Sequence, residues 1–326
     1  MKRANKQQGM AMLMALVMLA IASTLAVSIW YSNQLSIARM QNNQQSYQAS
    51  HYAQGLMLWA SDILRQDYAQ ADSVLHDSNR DGWLQGIEGM VVEDAVLSGY
   101  LVGLSGRFNV NNLYFNGAKQ EEHIAVFRRL LVALNLNVNL ADQVVDWIDP
   151  DQVPEPNGAE DFIYLARSPG YQTAGRGFKH VDELRLLDGM TDVDFATLAP
   201  HVTALPVSNQ ATRMNVNTLS PVLLKALHPL ITEEKALQLY QEGQADFMRL
   251  DDFFNHPAIR FELQQAQRTQ LQAMVGVQTL YLQAQSLVQM GDSQYVQYAL
   301  LARSNNGSAQ VIYRSMRPFL PTKQVQ

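Results

Sequence analysis

The chain has 326 residues, of which 47% are hydrophobic and 17% charged, so it can bury a sizeable core and is too apolar for a disordered chain. Its net charge of −6 argues against a general affinity for nucleic acid or anionic lipid. It has no cysteine, which excludes disulfides, thiolate metal sites and cysteine nucleophiles.

The amino terminus is basic, and a long apolar segment follows it. The basic residues are Lys2, Arg3 and Lys6. Residues 10–38 contain no charged side chain, and their apolar core, residues 10–31, is long enough as a helix to cross about 30 Å of hydrocarbon. The cations should remain in the cytoplasm, which predicts a single-pass inner-membrane protein with a periplasmic head.

Three fates of this segment fit the sequence. An ordinary secretory signal peptide would be cut before Ser23, and a plain signal anchor would not be cut. A prepilin-type leader would be cut between Gly9 and Met10, which keeps the apolar helix in the mature protein. We favour retention of the helix, because helix-forming residues and an apolar stripe continue to about Arg65, over roughly 80 Å.

Extended segments are predicted near the middle and the end of the chain. Residues 98–104 alternate in polarity between glycines and predict one strand. Residues 277–290, 294–303 and 309–316 predict three more, joined by turn-rich segments as in an antiparallel meander.

The region between these strands contains an internal repeat. The sequence RFNVN at residues 107–111 recurs as RMNVN at residues 213–217. The sequence FKHVDEL at residues 178–184 is echoed by FMRLDDF at residues 247–253. Two helical units of one plan are therefore predicted in tandem.

The richest acidic stretch, WIDPDQVPEPNGAED, lies in the first unit. Asp149, Asp151, Glu160 and Asp161 can converge there on one hard cation, and calcium suits such a set of carboxylate oxygens. A solvated loop whose acids cap helices explains the stretch equally well.

Two further acidic groups are weaker candidates for a metal site. Asp192 and Asp194 can join a neighbouring site, but capping of a helix explains them as well.

The second group fits the calcium-loop pattern of EF-hands, with Asp77, Asn79, Asp81 and Glu88 as the candidate ligands. Glycines bracket Glu88 and no exit helix is predicted, so we favour a polar turn at the end of the long helix.

The basic leader, the retained apolar helix, the two Asn-Val-Asn segments and the acidic loop together resemble the type IV pilin-like proteins. Within that class the sequence is similar to the K-type minor pseudopilins of the type II secretion system. Most pilins and pseudopilins have a glutamate at position +5 of the mature chain, which neutralises the terminal ammonium of a neighbouring subunit. That position is Met14 here.

The resemblance implies an α+β fold, in which a long N-terminal helix packs on an antiparallel sheet that carries a large, mostly helical insertion. The implied segments are a leader (1–9), a transmembrane half-helix (10–31), the rest of the helix with the first strand (32–105), the insertion (106–274) and the last strands (275–326).

The implied role is to cap the tip of the pseudopilus and to help initiate its assembly for protein export. The implied partners are the I-type and J-type minor pseudopilins, other pseudopilins and the prepilin peptidase, which cuts after Gly9 and methylates Met10. The resemblance also implies a calcium-binding head and no enzymatic activity.

Two alternative functions remain open from the sequence. One is a minor pilin of a DNA-uptake or adhesive type IV pilus, and the other is a soluble periplasmic protein with a cleaved signal peptide. The Asn-Val-Asn segments are similar to helix-hairpin-helix modules, but acidic residues outnumber basic ones by 21 to 14 across residues 106–274. We therefore expect no nucleic-acid partner.

Overall fold

The computed structural model describes residues 7–70, 76–207, 209–304 and 307–320. It begins with one uninterrupted helix, α1 (Gln7–Gln70), of 64 residues. At 1.5 Å per residue this helix is about 95 Å long. It extends five residues beyond the predicted end near Arg65, because Gln66, Ala69 and Gln70 are good helix formers.

The second half of α1 packs on the sheet through one narrow stripe. Ala49, Ala53, Leu56, Ala60 and Leu64 are all buried, and they recur at intervals of three or four residues. The alanines let the helix axis approach the strands closely. The apolar first half of the helix has no such contact, so only the second half contributes to the core.

Two strands follow the long helix. They are β1 (Ile87–Val92) and β2 (Ala95–Gly103), which form an antiparallel hairpin. Strand β2 begins earlier than the predicted strand at 98–104, and β1 was not predicted at all. Gly89 explains the omission, since its positive φ of 68° and the register shift beside it interrupt the alternating pattern.

The first helical unit lies between two short parallel strands. Its elements are β3 (Phe108–Asn109), β4 (Tyr114–Phe115), β5 (Ala118–Lys119), α2 (Glu121–Ala133), α3 (Leu140–Ile148), α4 (Asp161–Tyr164), α5 (Asp192–Leu198) and β6 (Val202–Thr203). Strand β3 pairs with β6.

The second unit repeats this plan. Its elements are β7 (Met214–Asn215), α6 (Pro221–Leu227), α7 (Glu233–Tyr240), α8 (Leu250–Phe254), α9 (Gln265–Met274) and β8 (Val275–Gly276). Strand β7 pairs in parallel with β8, as β3 does with β6. Short 3₁₀ helices connect the elements of the two units, at Val110–Leu113, Val181–Leu186, Ala199–His201 and Gln241–Gly243, and a further one at Gly82–Gln85 precedes β1.

Each repeated Asn-Val-Asn segment holds the start of a later helix in the same way. The side chain of Asn111 accepts the Phe178 N–H at 2.7 Å and donates to the Phe178 carbonyl at 2.8 Å. The side chain of Asn217 accepts the Phe247 N–H at 2.7 Å and donates to its carbonyl at 3.1 Å. We call each of these two-bond contacts an asparagine clasp.

The last three strands complete the sheet. They are β9 (Tyr281–Met290), β10 (Ser293–Arg303) and β11 (Ala309–Ser315), and the strand order is β1-β2-β9-β10-β11 with antiparallel neighbours. The first of them starts later than the predicted 277–290, because residues 277–280 form the loop that follows β8. The helical units are thus inserted between two adjacent strands of one sheet.

Among the described residues, buried apolar side chains form four clusters. The largest is shared by the two helical units and includes Phe108, Phe127, Leu224 and Phe253. Two smaller clusters lie between α1 and the sheet, and the fourth includes Leu300 of β10. The α+β fold class predicted from the sequence is confirmed by this arrangement.

Candidate functional site

The acidic loop joins α3 to α4. Asp149 follows the last residue of α3, and Glu160 directly precedes α4. Carboxylate oxygens of Asp149, Asp151 and Glu160 all lie within 4.8 Å of one another. Within the part of the chain that the structure describes, this is the one such cluster of three metal-ligating side chains.

Two of these carboxylates are buried without hydrogen-bond donors. Neither oxygen of Glu160 has a hydrogen-bond partner in the structure, and neither does Oδ1 of Asp149. The pKa of Glu160 is raised to about 8, mainly by loss of hydration and to a smaller extent by repulsion from Asp146 and Asp149. Loss of hydration and the nearby Asp151 carboxylate raise the pKa of Asp149 to about 7.

This arrangement fits a hard divalent cation. An unsatisfied buried acceptor destabilises a fold by about 1–3 kcal/mol, and more when it is charged. A cation held by the three carboxylates would satisfy these oxygens and remove their mutual repulsion. Calcium prefers oxygen ligands of this kind, and its flexible coordination accepts backbone carbonyls as well.

A fourth acid, Asp146, fixes the shape of the loop and was not predicted as a site residue. It accepts the Glu155 N–H at 3.1 Å, across the loop. A Cβ atom at Gly158 would lie 1.8 Å from its Oδ2, so only glycine fits there. Loss of hydration raises the pKa of Asp146 to about 6. Its position one turn before Asp149 on α3 is the sequence signal that could have found it.

The structure does not bring the remaining predicted ligands of the head into this group. Asp161 instead accepts hydrogen bonds from the backbone and hydroxyl of Thr173 and from Gln172. Asp192 pairs with Arg185 on the surface.

Asp194 belongs to the helix-capping contact that the sequence offered as its alternative explanation. Its backbone N–H donates to Thr191 Oγ1 at 3.1 Å, and the same hydroxyl donates to its carboxylate at 2.7 Å. Nothing therefore draws Asp192 or Asp194 toward the Asp149 group.

The EF-hand-like segment connects α1 to the sheet and the second helical unit, and its four candidate ligands do not converge on one point. Asp77 is fully buried and pairs with Arg303 at 2.8 Å. Asn79 donates to the Gly243 carbonyl, Asp81 accepts from Trp83, and Glu88 lies in β1. No sequence signal connects Asp77 with Arg303, because 226 residues separate them.

The apolar half of α1 is the second functional feature. Its side chains are exposed from Met10 to Tyr31; Met14, for example, is 59% exposed. Gly9 lies in the helix just before them. Among the described residues, α1 is the one helix long and apolar enough to cross a membrane. Such a helix, packed by its other half on an antiparallel sheet, is the architecture of a pilin-like protein.

Comparison with known proteins identifies the family. The family description "Type II secretion system (T2SS), protein K" matches residues 106–207. The chain is 32% identical to type II secretion system protein K of Pseudomonas aeruginosa over 95% of this chain and 93% of that protein. It is 30% identical to the Klebsiella pneumoniae protein of the same name, over 92% and 93% of the two chains.

A solved structure agrees with the fold. One chain of the GspK-GspI-GspJ complex from the type 2 secretion system of enterotoxigenic Escherichia coli superposes with a TM-score of 0.74. The match covers 85% of this chain and 98% of that one at 22% identity. The chain belongs to the type II secretion system protein K family. Its role is that of a minor pseudopilin in type II secretion, as the resemblance of its sequence implied.

Proposed function

We propose that this subunit caps the tip of the pseudopilus and helps to start its assembly. The observation that carries the proposal is the apolar surface of α1, which offers no acid near its start to a subunit above it. Met14 stands where a glutamate would neutralise a neighbour's terminal ammonium. A subunit at the tip has no such neighbour, and the two helical units would block addition beyond it.

Processing and membrane topology follow from the same helix. We propose that the prepilin peptidase cuts between Gly9 and Met10 and methylates the new amine. The mature helix then stays in the inner membrane, with its start on the cytoplasmic side and the head in the periplasm.

The proposed partners are the I-type and J-type minor pseudopilins, together with other pseudopilins. The fold match supports this choice, because the similar chain was solved together with GspI and GspJ. A second support is the periplasmic part of α1, where Leu35, Ile37, Met40 and Leu58 remain exposed. Helices of this kind associate by burying such side chains.

We further propose that the Asp149 group binds calcium and that the ion has a structural role. It would hold the loop between α3 and α4 in one conformation. The chain would then act by assembly and not by catalysis. We also propose that the chain consists of a leader, a transmembrane half-helix, the rest of the helix with the first strand, the helical insertion and the last strands.

Immunogold labelling tests the position in the fibre. Pseudopili assembled with this subunit would be decorated with an antibody against its head and imaged by electron microscopy. Label at one end of each fibre is the expected result, whereas the major pseudopilin should be labelled along the whole length. Label along the fibre for both subunits would contradict the tip position.

A further inference from the structure

A groove runs between the edge of the sheet and the first helical unit. It consists of two adjoining cavities of about 320 and 390 Å³, which share Lys179, Tyr313 and Phe319. The rings of Tyr313 and Phe319 meet edge to face at 6.1 Å between centroids and form a ridge between the cavities. We call this feature the C-terminal groove.

One cavity of the C-terminal groove is apolar. Its walls come from Phe178, Pro206, Val207, Leu300 and Ile312. Ile312 is exposed because strand β11 has a bulge there, which leaves this residue without a partner in the register with β10. The volume is enough for one bulky apolar side chain.

The other cavity is bordered by cations that lack acidic partners. Lys179 and Arg317 line it. Both side chains are exposed, and within the described residues neither lies within 4.0 Å of a carboxylate oxygen.

Of the two acids of this cavity, one is engaged. Glu183 accepts the backbone N–H groups of Lys179 and His180 at 2.8 and 3.0 Å, and it also pairs with Arg176. Asp182 stays exposed, and its backbone N–H donates to Nδ1 of His180, so this nitrogen has no proton for the carboxylate. The cations Lys179, Arg317 and Arg176 still outnumber the two acids, so the groove carries a net positive charge on a chain whose net charge is −6.

The backbone beside the groove is also available. Strand β11 is an edge of the five-stranded sheet, and no described residue outside the sheet hydrogen-bonds to its backbone between Gln310 and Arg314. An extended chain can use such an edge for hydrogen bonds.

We propose that the C-terminal groove docks an extended peptide segment of another protein, in which acidic residues flank one bulky apolar side chain. The apolar cavity takes the bulky side chain, and Lys179 and Arg317 pair with the acids. Residues 321–326 of the chain itself carry one lysine and no acid, so they do not complement the groove. The proposal does not depend on the position of the subunit in the fibre.

Fluorescence anisotropy tests the proposal on the full chain in detergent micelles. One labelled eight-residue probe carries a phenylalanine flanked by glutamates, and a matched probe carries lysines in their place. The acidic probe should bind about tenfold more tightly or better, and about 0.5 M salt should weaken it.

Charge-reversal variants then locate the binding. Lys179→Glu combined with Arg317→Glu should weaken the acidic probe by about tenfold, because two favourable pairs become repulsive. Arg260→Glu reverses an exposed cation in the second unit and should change binding by less than about twofold. Ile312→Ser should weaken both probes by removing an apolar contact. Thermal unfolding of each variant verifies its fold.

Three results would overturn the proposal. They are equal affinity of the acidic and basic probes, no binding up to about 1 mM, and the same loss in Arg260→Glu as in the double variant.

Discussion

Asp81 is a half-buried carboxylate, and two N–H groups donate hydrogen bonds to the same one of its oxygens. The backbone N–H of Ser78 and the indole N–H of Trp83 donate to its Oδ2 at 3.1 and 3.0 Å. Loss of hydration, then repulsion from Asp77, raises its pKa to about 6. The folded state therefore binds more protons than the unfolded state between pH 4 and pH 6, and its stability falls as pH rises through that window.

Asp81→Asn should remove this pH dependence. The amide oxygen can take the place of Oδ2 and keep both hydrogen bonds, without a charge. At pH 8 we expect the free energy of unfolding of the variant to exceed that of the parent by about 1 kcal/mol, after allowance for partial exposure. At pH 4 the two proteins should have the same free energy of unfolding. Urea unfolding of both proteins across this range measures the difference. A constant difference at all pH values would contradict the assignment.

Glu160 tests the metal site because both of its oxygens lack donors. In chelator above pH 8, where Glu160 is ionised, Glu160→Gln should be more stable than the parent, since it removes a buried charge. Calcium should stabilise the parent by about 2–3 kcal/mol at a hundredfold excess over Kd, and the variant far less. Thermal unfolding with calcium or chelator gives both values.

The control for this experiment is Glu234→Gln, which changes an exposed glutamate on α7. It should respond to calcium as the parent does. An identical calcium response of Glu160→Gln and the parent would remove Glu160 from the site.

Among the elements of the fold, the asparagine clasps hold the two repeated units closed. Asn217 is buried, and its side chain satisfies both the N–H and the carbonyl of Phe247. Asn217→Ala should lower the free energy of unfolding by about 2–4 kcal/mol, because these backbone groups lose their partners. Asn255→Ala removes an exposed asparagine and should change it by less than about 0.5 kcal/mol. Urea unfolding followed by circular dichroism compares them. Equal effects would show that the clasp is not stabilising.

The elements that the sequence predicted are those with a local signal. The long helix follows from its unbroken apolar stripe, and the last strands follow from their alternation between turns. The repeated Asn-Val-Asn and Phe segments indicated two related units, although not the clasp that joins them. That contact links Asn111 to Phe178, which are 67 residues apart.

Part of the acidic site was predictable because it also has a local signal in the sequence. Asp149, Asp151 and Glu160 lie within one short loop, so their proximity follows from chain connectivity. The position of Asp161 does not follow, since its carboxylate is drawn away by Thr173 on a later segment. Burial of Glu160 depends on how α3 and α4 pack, which no local pattern specifies.

At the scale of the whole molecule, one buried joint connects the long helix, the sheet and the second helical unit. Arg303 at the end of β10 donates to the carbonyl of Leu64 and pairs with Asp67 on α1. It also pairs with Asp77, whose carbonyl accepts from Asn215 and Asn217. This cluster therefore helps to fix the orientation of the second helical unit relative to α1.

Arg303→Met should remove these contacts. The helical units should then unfold separately from α1 and the sheet. Asp77 would be left buried and unpaired, which destabilises a fold by about 3–5 kcal/mol. Differential scanning calorimetry should then show two transitions where the parent shows one. Adding Asp77→Asn should restore part of the loss, because it removes the unpaired charge, whereas Arg314→Met on the exposed edge strand should leave one transition. If the double variant lost as much stability as the two single variants together, the two residues would be independent, and the joint would not couple the head to the helix.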